Sequence, residues 1–145
     1  MNAQRNIKIG SKIYIGFSAF SLGYVAILSL ISPQSTMNLV ATPLPNTDAI
    51  SSIRGIYGGV GLVITIQLIY LLLTDYTKGL LFLSLFWASY AVSRLITMYS
   101  EGPLGEFGTF WMVNETVFSM IGIGLLLLTK KINRDEFRVA ATTSN

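Results

Sequence analysis

The sequence predicts an all-α integral membrane protein, a four-helix bundle, and three observations carry that prediction. First, only 12% of the 145 residues are charged while 52% are hydrophobic. Soluble domains run near about 25% charged. So little charge cannot cover a water-facing surface, whereas a lipid-facing surface needs little. Second, four apolar stretches of roughly 20 residues each match a hydrocarbon core about 30 Å thick at about 1.5 Å of helix per residue. Third, Lys and Arg gather at the ends of these stretches, as membrane topology requires. The length suits one domain, residues 1–145.

The first span, residues 13–31, holds no charge and follows Arg5, Lys8 and Lys12. That basic start resembles a signal peptide. However, the apolar run exceeds the usual ~7–15 residues and no clean A-x-A site follows it, so an uncleaved span is expected. The second span, residues 53–73, carries Arg54 at its start, with Thr47 or Asp48 as the expected cap. The third, residues 79–99, contains Arg94, and the fourth, residues 109–128, contains Glu115. In lipid each backbone must satisfy its own hydrogen bonds, so helices are the default.

The connections fit tight hairpins. Residues 74–78 read as a five-residue turn, and residues 100–108 as a loop containing Gly102, Pro103 and Gly105. Residues 32–46 are longer and only mildly polar, with Pro33, Pro43 and Pro45, and are expected along the interface. Residues 129–145 read as a cytoplasmic tail, with Asp135, Glu136 and Arg138 in water.

Arg5, Lys8 and Lys12, Lys78, and Lys130, Lys131, Arg134 and Arg138 all fall on one side of four spans. The opposite loops hold only Asp48, Glu101 and Glu106. The positive-inside rule then places both termini in the cytoplasm, and a bacterial chain in the inner membrane. The net charge of +3 reflects this topology rather than nucleic-acid binding.

The chain has no Cys and no His, which removes thiol chemistry and the commonest metal ligand and general base. No metal-ligand cluster, nucleophile–base pair or phosphate loop is visible. No cofactor, metal or catalytic residue is therefore expected, and catalysis is the weaker expectation.

Attention falls on Arg54, Arg94 and Glu115, because ionisable groups inside spans are costly and face a bundle interior or a wet cavity. Each lies about 7–9 Å from the outer end of its helix, so all three reach a similar depth. At helical spacing Arg54 shares a face with Tyr57, Gly58 and Gly61; Arg94 with Trp87, Ala91 and Met98; Glu115 with Ser119 and Gly122. Asn114 adds an amide. Gly55 and Gly59 form a small-xxx-small pair suited to close helix packing. Gln67, in mid-span, is expected to bond a neighbouring helix. The charges either form a structural clamp or line an outer-leaflet pocket, where two Arg against one Glu leave one positive charge in excess.

The segment I-R-G-I-Y-G-G (residues 53–59), S-R-L (93–95), E-G-P (101–103) and N-E (Asn114 and Glu115) occur together in this order. The set resembles a bacterial family of small four-span membrane proteins, domain of unknown function 4345, over residues 48–128. The resemblance implies recurring polar positions at Arg54, Tyr57, Gly58, Gly59, Arg94 and Glu115. More distantly it is similar to the DoxX-like proteins, some linked to quinone or thiosulfate metabolism, although fold analogy does not establish function. The first span carries none of these motifs.

The expected function is a binding or accessory membrane protein whose pocket takes a lipid, quinone or similar amphiphile. Gly55, Gly58, Gly59 and Gly122 are the expected helix-packing residues. The alternatives are a structural subunit of a membrane complex, in which the Gly55–Gly59 pair and the Gly122–Gly124 region pack a partner helix, or a small homo-oligomeric transporter using Glu115. The small multidrug exporters rely on a carboxylate in the first span, and none is present in this one.

Overall fold

The computed structural model describes residues 2–143, and the side chains of residues 4–134. Asp135, Glu136 and Arg138, expected in a solvated tail, have side chains outside the described residues. The elements are α1 (Asn2–Ile31), α2 (Pro33–Asn38), α3 (Thr47–Ile53), a π-helical segment (Arg54–Val60), α4 (Gly61–Thr74), α5 (Tyr76–Glu101) and α6 (Glu106–Thr143). No strand occurs among the described residues. Among the described residues, four stretches are long and apolar enough to cross a membrane: Gln4–Ile31, Thr47–Thr74, Tyr76–Glu101 and Glu106–Arg134.

The helices outrun the apolar stretches. Hydropathy marks the part suited to lipid, whereas the hydrogen-bonded ladder continues until a cap or breaker stops it. Thus α1 begins at Asn2, and α6 continues through Thr143 where a tail was expected from residue 129. The second span is capped by Asn46 rather than Thr47 or Asp48: the Asn46 side chain accepts the Ala49 N–H at 2.8 Å. The expected 74–78 turn shrinks to Asp75 alone. Asp75 breaks the ladder and caps α5, accepting the N–H groups of Thr77 (3.1 Å) and Lys78 (3.2 Å). The loop after α5 shortens to residues 102–105. It begins at Gly102, whose φ of +106° disfavours any L side chain. Residues 32–46 are partly helical, as α2.

Burial does not sort by polarity: Ile15, Leu68, Leu80 and Leu83 are fully buried, and so are three serines. These are Ser11, Ser18 and Ser29, while Phe20 (74% exposed) and Leu73 (74%) face outward. Lipid tails are as apolar as leucine, so large aliphatic side chains are accommodated on either face, and small residues favour close contact between helices. Ser11, Ser29, Thr65 and Ser84 bond to carbonyls of their own helices, Ser11 to Ile7 and Ser29 to Val25 both at 2.8 Å.

The chain divides into two compact units, residues 15–74 and residues 1–14 with 75–145. In the first, α1 runs antiparallel to the second span along a ladder of small residues. A Cβ at Gly23 would meet Thr65 at 3.1 Å, one at Gly61 would meet Ala26 at 3.1 Å, and one at Gly58 would meet Leu30 at 2.8 Å. Such close backbones gain dispersion and lose no side-chain entropy. Gly55 and Gly59, expected to serve helix packing, have open space at their Cβ positions. The π-helical turn, with its i→i+5 bonding, breaks the 3.6-residue spacing on which the Arg54–Tyr57–Gly58–Gly61 face relied. Gly58 is left against α1, whereas Tyr57 is 38% exposed.

In the second unit α5 and α6 form an antiparallel hairpin. The Ser119 hydroxyl donates to the Ser84 carbonyl at 3.3 Å, and the Trp87 and Phe118 rings lie 5.2 Å apart. Tyr14 joins them, donating to the Phe118 carbonyl at 2.9 Å. A Cβ at Gly122 would lie 2.7 Å from the Ser84 hydroxyl and 2.9 Å from that of Tyr14, so any side chain there would displace one of them.

Candidate functional site

The α5–α6 hairpin brings Arg94 and Glu115 together. The Arg94 Nε donates to Glu115 Oε2 at 2.6 Å and Nη2 to Oε1 at 2.8 Å, a side-on bidentate pair. The Glu115 side chain is 3% exposed and that of Arg94 23%. The pair therefore reaches from a buried carboxylate toward the helix surface. Glu115 shares its face of α6 with Ser119, Gly122, Leu126 and Thr129, all buried, so helical periodicity alone turns it inward.

Asn114 is half-buried. Its amide nitrogen donates to the Phe110 carbonyl at 2.7 Å, back along its own helix. No group of three His, Cys, Asp or Glu side chains converges among the described residues. The chemistry on offer is thus an ion pair and the donors around it.

Trp87 lies seven residues before Arg94 on the same face of α5, about 10 Å along the helix, with Ala91 buried between them. Phe86 packs edge-on against it at 5.2 Å and Phe118 lies at 5.2 Å on the other helix. Trp87 is 7% exposed, and its indole N–H has no hydrogen-bond partner among the described residues. A buried donor left unmade costs about 1–3 kcal/mol. The sequence placed Trp87 on the Arg94 face; spacing alone did not reveal the empty donor.

Arg54 belongs to the other unit and works differently. It is exposed, and its Nε donates to the Leu30 carbonyl at 3.0 Å. Leu30 is in the last turn of α1, where carbonyls lack helical partners and the dipole end is negative. No carboxylate lies within ion-pair distance of Arg54 among the described residues. The signal for this cap was legible, since the first apolar stretch ends at residue 31. Tyr57 makes no hydrogen bond among the described residues.

Outside the spans, the Lys78 and Thr77 N–H groups and the nearby Lys78 ammonium hold the Asp75 carboxyl below its ordinary pKa, with the Lys78 N–H foremost.

The motif resemblance rested on residues 48–128. No curated protein and no solved structure matches the chain. The family model described as Domain of unknown function (DUF4345) matches residues 10–140, so it takes in the first helix as well, and the protein belongs to that family.

Proposed function

We propose that this membrane protein binds an amphiphile with a neutral, acceptor-bearing headgroup, such as a quinone or the ester region of a lipid. The headgroup sits on the Trp87–Ala91–Arg94 face of α5. The buried indole N–H of Trp87 without an acceptor carries this proposal. A carbonyl oxygen would satisfy that donor, and Ala91, between Trp87 and Arg94 on this face, carries a small side chain. Arg94 and Glu115 balance each other in charge, which favours a carbonyl over an anion. The apolar tail would lie along lipid-facing residues of the same helix, such as Val92 and Leu95, which are exposed.

Native mass spectrometry of protein released gently from membranes tests this proposal. Wild type should carry one amphiphile per chain. Trp87→Phe, which keeps the ring and removes the donor, should retain at least tenfold less while its helical content and melting temperature are unchanged. Equal retention by Trp87→Phe would leave Arg94 and Glu115 as a structural clamp and no more.

We also propose that both termini face the cytoplasm from the inner membrane, on the Lys and Arg asymmetry of the loops. The chain has no native Cys. A single Cys at residue 103 should therefore react with an impermeant maleimide on intact cells, and one at residue 2 should not.

A further inference from the structure

Gln67 stands in the middle of the second span, where its neighbours one turn away on α4 are apolar Val63, Ile64 and Leu71, together with Tyr70. It lies eight residues before Asp75, which breaks the helix, and thus about 12 Å inside that end. It is exposed, and it makes no hydrogen bond among the described residues. Around it, Val63 (66% exposed), Ile66 (59%) and Tyr70 (58%) lie on the same side of the helix, at i−4, i−1 and i+3. Any aliphatic residue would be more comfortable in lipid, and a bare primary amide in hydrocarbon lacks both its donor and its acceptor partners.

We infer that this face of α4 pairs with the same face of a second copy of the chain, with Gln67 bonding to Gln67. Two features select that occupant. A primary amide is self-complementary, because its N–H donates and its C=O accepts, so two copies close a reciprocal pair. Copies inserted in the same orientation are related by a two-fold axis along the membrane normal, which puts a given residue at equal depth in both. A lone polar residue near that axis meets itself. A different partner protein would need a polar group placed independently at that depth.

The inference does not depend on the Trp87 site, which lies in the other unit. Sedimentation in mild detergent tests it. Wild type should run as a dimer, Gln67→Leu should dissociate at least tenfold more readily, and Gln67→Asn, which keeps the amide, should remain dimeric. A Cys placed at Val63 in this Cys-free chain should cross-link in membranes, and adding Gln67→Leu should abolish most of the cross-link. Helical content measured alongside separates dissociation from unfolding. A monomeric wild type, or a Gln67→Leu dimer as tight as wild type, would overturn the inference.

Discussion

Arg94 and Arg54 begin with the same chemistry and are accommodated by the two units in different ways. Arg94 closes a two-point pair on a carboxylate that is 3% exposed. Arg54 is exposed and gives one N–H to the last turn of α1. The first arrangement holds two charges away from water and stands only while both are present. The second neutralises a helix end and leaves the rest of the guanidinium at the surface. Arginine in a span therefore marks a functional site only after its partner is known.

The largest break in this comparison should come from Arg94→Ala, which strands Glu115 without its counter-charge. Breaking such a pair costs about 3–5 kcal/mol, readable as a fall in melting temperature in detergent. Replacing both residues by Met should recover most of that loss, because the cost lies in the unpaired charge. Next in size is the glycine contrast. Gly122→Val and Gly58→Val should each cost about 1–3 kcal/mol through overpacking, while Gly55→Ala and Gly59→Ala, facing open space, should stay within about 0.5 kcal/mol of wild type. Arg54→Gln should cost only about 0.3–1 kcal/mol, the scale of a charge at a helix end, and Arg54→Lys should cost less.

The smallest effect concerns Asp75. Its pKa is lowered in the folded chain, so its contribution is complete above the ordinary carboxylate pKa and is lost as pH falls through the lower folded value. Wild type and Asp75→Asn should therefore show a constant stability difference from pH 7 to 5. That difference should shrink below about pH 4.

The spans were legible in the sequence because they depend on counting; Glu115 was expected to pair with one or both arginines, and the sequence did not choose between Arg54 and Arg94. Apolar length sets a span, and opposite charges at matched depth have few other partners. The Arg54 grouping was read on an α-helical wheel, and a π-helical turn at residues 54–60 does not obey one. The caps were misplaced by one residue or more because Asn46, Thr47 and Asp48 are all competent cap residues. The empty Trp87 donor was not legible at all, since satisfaction depends on every group surrounding the ring.

The Trp87 N–H offers the most direct test of the proposed function. The chain has two tryptophans, so ¹⁵N-labelled protein in nanodiscs should give two indole N–H signals, assigned with Trp111→Phe. Titration with a benzoquinone carrying an alkyl tail should move the Trp87 signal downfield, saturably, and leave Trp111 in place. A Trp87 signal that stays fixed while quinone partitions into the same nanodiscs would contradict the account.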